Sequence, residues 1–175
     1  MKKMMYKILG GNIEINEIEP FINEINKFAR EKEMHIQVFD ASMICGKVHL
    51  ESAILHTIRA DEQQRMAAQT LEMELMLYAS GERQLTKAIP KIGVKKDQTT
   101  IALALLSKHH SKKILNSIIS EIEKRFHIKK NDSVLNISTE KMKKWKVSES
   151  ILKNLSMDEY EDVILEKVAY VDVIK

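Results

Sequence analysis

A chain of 175 residues has the size of one domain, at roughly 100 to 200 residues each, which excludes large multidomain enzymes. Hydrophobic residues at 44% and charged residues at 30% are enough to close a core and exclude a disordered chain. The net charge of +3 averages over a strong asymmetry, since Arg83 to Lys146 holds 16 Lys/Arg against 5 Asp/Glu.

In chain order, Met4 to Leu9 reads as a short strand closed by Gly10-Gly11. Pro20 opens a helix through about Lys32, with Phe21, Ile25 and Phe28 on one face. His35 to Phe39 alternates and ends at Asp40, a second strand. From Gly46 a helix runs to about Arg65 on the stripe Leu50, Ile54, Ile58. Thr70 to Ala79 is another helix. Its core stripe is Leu71, Leu75 and Tyr78, while Met73, Met76 and Leu77 form a second apolar face that a simple surface helix does not have. Ser80-Gly81 breaks this helix, and Arg83 begins the next, which Pro90 kinks or ends before Gly93.

Thr99 to Leu106 is β-branched, then continuously apolar, as a central strand should be. Ser111 to His127 carries the wide stripe Ile114, Leu115, Ile118, Ile119, Ile122 and Phe126. A short apolar run at Val134 to Ile137 precedes short helical pieces. The last helix starts at the capping box Ser156-x-x-Glu159 and carries more apolar residues than one face holds, among them Val168, Val171, Val173 and Ile174. The pattern predicts a single α+β domain over residues 1–175, with a small, mainly antiparallel sheet of about three to four strands packed with about six to eight helices.

Candidate chemistry is sparse. The one cysteine, Cys45, cannot form an internal disulfide or a Cys-rich zinc site. Cys45, His49 and His56 stand at i, i+4 and i+11, a possible soft-metal set, but no carboxylate completes it and a capping or half-buried histidine is the commoner use. The five glycines match neither a dinucleotide fingerprint nor a phosphate loop. Glu72 and Glu74 point to different helix faces, and Ser80 lacks the strand that precedes a nucleophile elbow. No catalytic residue, metal or cofactor is expected. The longest apolar stretch, Ile101 to Leu106, falls far below the roughly 18 residues that span a bilayer, and no signal-like run opens the chain, so a soluble cytoplasmic protein without membrane contact is expected.

The basic block suggests a polyanion partner, with pairs and triplets at Lys95-Lys96, Lys112-Lys113, Lys124-Arg125, Lys129-Lys130 and Lys143-Lys144-Trp145-Lys146. The same Lys/Glu-rich, Ile-rich, Gln-poor composition also describes the solvated surface of a thermophilic protein. At the Ser80-Gly81-Glu82-Arg83 junction, a helix N-terminus with Arg83, Lys87 and Lys91 at i, i+4 and i+8 could hold phosphate; a plain helix-to-helix turn capped by Gly81 is the other reading.

One segment carries more than composition. It runs Gly46-Lys47-Val48-His49-Leu50, then Ala53, Leu55, His56 and Arg59, then Thr70-Leu71-Glu72, Glu74 and Tyr78-Ala79-Ser80-Gly81-Glu82-Arg83-Gln84-Leu85 before Ala88-Ile89. It resembles the small kinase-binding (TPRKB-like, archaeal) regulatory subunits of the KEOPS tRNA-modification complex, and the order of elements agrees along roughly the whole chain. Asp61-Glu62-Gln63-Gln64 departs from the pattern, being more polar and acidic than the family's aromatic or basic residues.

The resemblance implies a non-catalytic α/β protein that binds the complex's small atypical kinase/ATPase. It also implies help in recruiting tRNA by its single-stranded 3′ CCA end for threonylcarbamoyl-adenosine formation. On that basis the expected RNA contacts are Arg59, Ser80, Gly81, Arg83, Lys87 and Lys91. The surplus apolar faces give the expected partner contacts Met73, Met76, Leu77, Val168, Val171 and Ile174. A stand-alone module binding a small anion or nucleotide at Ser80 to Arg83 is the alternative.

Overall fold

The computed structural model describes residues 3–175. In chain order the elements are β1 (Met5–Asn12), α1 (Ile18–Glu31), β2 (His35–Asp40), α2 (Lys47–Glu62), α3 (Leu71–Ser80), α4 (Leu85–Ile92), β3 (Thr100–Ser107), α5 (Lys112–Arg125), β4 (Lys129–Lys130), α6 (Thr139–Lys144), α7 (Glu149–Leu152) and α8 (Met157–Ile174). The four strands form one antiparallel sheet in the order β2-β3-β1-β4, which confirms the α+β class.

The sheet is the middle of three layers, and β3 shows why. Ile101, Leu103 and Leu105 pack with Ile25 and Phe28 of α1 and with Leu115, Ile118 and Ile122 of α5. Ala102, Ala104 and Leu106 face the other way, into the core shared with α2, α3, α4 and α8. A strand buried on both faces reads as a continuous apolar run, as this one does. Ile114, expected in the α5 stripe, is instead exposed.

Strand β1 runs through Gly10-Gly11 rather than stopping at Leu9. A Cβ on Gly10 would meet the Asn131 carbonyl at 2.8 Å, and one on Gly11 would clash with Ile128 Cγ2. These glycines therefore let β4 and the turn after it lie against the strand. Of the apolar run at Val134 to Ile137, Val134 and Leu135 belong to that turn, a 3-10 helix over Asp132–Leu135, and Ile137 follows it. Helix α4 begins at Leu85, two residues later than its basic cluster suggests.

The surplus apolar faces of α3 and α8 have an internal explanation. Helix α3 lies among α2, α4, α8 and β2, so Leu71, Leu75, Met76, Leu77 and Tyr78 are all buried. Helix α8 buries Tyr160, Ile164, Val168 and Val171 against this group. Leu77, Val168 and Val171, expected to meet a partner, are core residues. A helix enclosed on two sides needs two apolar faces.

Candidate docking and RNA-contact surfaces

Each outer edge of the sheet lies in a groove between helices. Along β2, a groove of about 490 Å³ runs between α1 on one side and α3 and α4 on the other. Its lining is mainly apolar, with Ile18, Ile22, Met73, Met76, Leu85 and Ile89, and Asn26, Arg30 and Glu72 stand among them. Met73 is 42% and Ile89 54% exposed, whereas Met76 is buried at the floor. Thr70 sets Met73 there by capping α3, its hydroxyl accepting the Met73 N–H at 3.2 Å. The β2 edge beneath is partly closed. Gln37 donates from Nε2 to the Val38 carbonyl at 2.9 Å, and His35 and Glu72 bridge the strand to α3 at 2.8 Å.

The end of α8 is tied to α3 by a charged cluster. Glu74 is fully buried, and its carboxylate accepts the N–H groups of Ala67 and Ala68 at 2.9 and 2.8 Å and meets the Lys175 ammonium. Lys175 also lies 4.4 Å from the centre of the Tyr78 ring. Asp172 accepts from the Tyr78 hydroxyl at 2.5 Å, from Arg65 at 3.1 Å, and pairs with His56 at 2.8 Å. Burial alone would raise its carboxyl pKa, but these partners outweigh burial and hold it below the ordinary value. The ties fix a second apolar surface, where Val173 is 73% exposed, Tyr170 is exposed and Ile174 is half-buried.

At the other end of α3, the Ser80 to Arg83 junction is a helix cap. Gly81 adopts φ +69, its N–H bonds the Tyr78 carbonyl at 3.2 Å, and the Glu82 N–H bonds the Leu77 carbonyl at 3.2 Å. This pair of bonds is a Schellman motif, whose left-handed residue a glycine adopts without steric cost. The Ser80 hydroxyl is buried, donating to the Leu77 carbonyl and accepting from the Glu82 N–H. Lys91 closes the junction from below, donating to the Ser80 carbonyl at 2.7 Å and to Glu82 at 3.1 Å over the Trp145 ring. Of the expected RNA contacts, Ser80, Gly81 and Lys91 are thus engaged within the protein. Arg83 and Lys87 are exposed and make no ion pair among the described residues.

Arg59 is elsewhere. It is exposed on α2 and lines the groove along the β1 edge. His49, near the start of α2, reaches the Ala79 carbonyl beside the junction. Arg59 lies ten residues further on, about 15 Å along the helix at 1.5 Å per residue. The structure does not gather Arg59 and Arg83 into one pocket.

The histidines are likewise occupied. His49 Nδ1 accepts the Cys45 N–H at 3.0 Å, so Nε2 carries the proton and donates to the Ala79 carbonyl at 2.7 Å. Full burial, helped by the charges of Lys141 and Lys91 against the opposing Ala79 bond, pushes its pKa down to about 4. His56 is stacked on Tyr78 and paired with Asp172. Among the described residues no three His, Cys, Asp or Glu side chains converge as a metal site, and no helix is long and apolar enough to cross a membrane. Sequence reasoning missed the Lys141 ammonium, which donates to the Ile44 and Val134 carbonyls at 2.7 and 2.6 Å and is brought by burial to about pKa 8. Nothing in a run of lysines distinguishes the one that turns inward.

Fold and surfaces together define a three-layer α+β protein with a grooved sheet edge on either side. Residues 14–172 match the family described as kinase binding protein CGI-121, and the chain belongs to that family. It is similar to the regulatory protein Cgi121 of Methanocaldococcus jannaschii, with 28% identity over 142 residues, 81% of this chain and 86% of that protein.

Proposed function

We propose that this chain is a non-catalytic regulatory subunit of the KEOPS tRNA-modification assembly, which binds the small atypical kinase/ATPase and helps hold tRNA by its 3′ CCA end. The observation that carries the reading is the apolar β2-edge groove, with Met73 and Ile89 exposed in a chain of a kinase-binding family. Burying such a side chain contributes about 1.5 to 3 kcal/mol, and methionine adapts to an irregular partner surface. The α8 tip, with Tyr170, Val173 and Ile174, is the second surface offered to the kinase.

For RNA, Arg83 and Lys87 beside the junction and Arg59 on α2 supply separate cationic contacts to an extended strand. The small-anion alternative has less to stand on, because the Ser80 hydroxyl and the Gly81 and Glu82 N–H groups already have partners.

The test pairs two assays on purified protein. Met73→Glu should lose co-purification with the organism's own small atypical kinase at an unchanged melting temperature; retention would move the interface, first to Val173→Asp. In the second assay, tRNA binding should weaken as salt rises, fall on removal of the CCA end, and be lost in Arg59→Glu with Arg83→Glu. Equal affinity for intact and trimmed tRNA would refute the CCA reading.

A further inference from the structure

The β1 edge is built differently from the β2 edge, and Gly10 shows which of its main-chain groups turn outward. The Gly10 N–H donates to Asp132 Oδ1 at 3.0 Å, and its carbonyl accepts the Asn131 N–H at 2.8 Å. Strands repeat every two residues, so Ile8 and Tyr6 turn their N–H and C=O groups the same way. Strand β4 pairs only with Gly11 and Asn12 and stops short of them. No hydrogen bond among the described residues reaches Ile8 or Tyr6 on that side. An open edge of this kind is a template for another strand.

The groove around this edge measures about 1230 Å³ and lies between α2 and α5. Its α2 wall carries Lys47, Glu51, Leu55, Arg59 and Glu62 at helical spacing, with Leu55 50% exposed. This stripe is its own complement when reversed. A two-fold axis near Leu55 sets Glu51 against Arg59 of a second copy, Lys47 against Glu62, and Leu55 on Leu55. The α5 wall repeats the rule, since Lys112 and Glu123 exchange places about Asn116 and Ile119. Inside one chain these charges are scarcely used: Lys47 and Glu51 are 3.9 Å apart, and neither Arg59 nor Glu62 forms an ion pair among the described residues.

We propose that the β1 edge is a self-association surface, on which a second copy of this chain adds its own β1 antiparallel and extends the sheet across a two-fold axis. The strand register follows from the same residues. Centred on Tyr6, it sets Lys7 against Met5 of the other copy; centred on Lys7, it would face two like charges, which is destabilising. Centred on Ile8, it would run into the Asn131 and Asp132 contacts that already occupy Gly10.

Sedimentation velocity or light scattering on the full chain, from about 1 to 200 μM, covers dissociation constants of the micromolar class. Mass should rise toward twice the monomer with concentration. Glu51→Arg and Arg59→Glu should each hold the chain monomeric at least about tenfold higher in concentration, and the combined Glu51→Arg, Arg59→Glu chain should recover the wild-type curve. Residues 51 and 59 are two turns apart in one helix, so recovery requires contact between copies. A wild type that stays monomeric throughout, single variants that dimerise normally, or a double variant that does not recover would each overturn the proposal. Unchanged melting temperatures in the single variants separate loss of dimer from loss of fold.

Discussion

The two edges of one sheet have been finished in opposite ways. At β2 the main chain is partly covered, by Gln37 on the Val38 carbonyl and by the His35–Glu72 bridge, and the exposed side chains are mainly apolar. At β1 the main chain past β4 is bare and the walls are charged. A blunted edge limits pairing by backbone and recognises by shape and apolar area, whereas a bare edge recognises by hydrogen bonding and register. The proposed placement of the kinase at β2 and of a strand at β1 rests on that difference.

The largest expected effect would break both edges together. His49 is held neutral between α2 and α3, so its folded pKa of about 4 lies below the ordinary histidine value of 6.5. Between those values the unfolded chain binds the extra proton, so stability is complete above about pH 6.5 and falls as pH drops toward 4, by up to about 3 kcal/mol. Urea titrations at pH 7.5 and pH 4.5 measure it, and His49→Gln should flatten that part of the profile.

A smaller effect should tell the edges apart. Ile89→Glu is expected to weaken kinase binding at least about 30-fold, near 2 kcal/mol, while Leu55→Glu leaves it unchanged. Calorimetric titration of both variants decides; a loss with Leu55→Glu would place the kinase on the wrong edge here. The smallest effect should sharpen the contrast. Gln37→Ala removes one edge hydrogen bond, worth about 0.5 to 1.5 kcal/mol, and should make the β2 edge more adhesive, seen as faster light-scattering growth on mild heating.

Much of this was legible in the sequence, for identifiable reasons. Continuous apolarity at Thr99 to Leu106 marked the central strand, and the Ser156 capping box marked the start of α8, with both of its reciprocal bonds formed. The resemblance, with its specific core at Gly46 to Gly93, agrees with the family match. What misled was excess hydrophobicity. Leu77, Val168 and Val171 looked like surface awaiting a partner, because periodicity counts apolar faces and cannot say whether the second face meets a neighbouring helix of the same chain. Lys91 misled in the same way, since a cation at helical spacing reads as free until the carbonyl it reaches, eleven residues back, is known.

The junction has one more consequence, an optical one. Trp145, the chain's single tryptophan, donates to the Met43 carbonyl at 2.9 Å, touches His49 edge-on, and lies under the Lys91 ammonium at 4.2 Å from its ring centre. Gly81 stands beside it, its missing Cβ 3.6 Å from the indole. Indole emission responds to nearby charge, so any anion that draws Lys91 off the Ser80 carbonyl shifts the spectrum of the whole protein. The molecule therefore contains its own fluorescent gauge of the turn between α3 and α4, readable without a dye or a label.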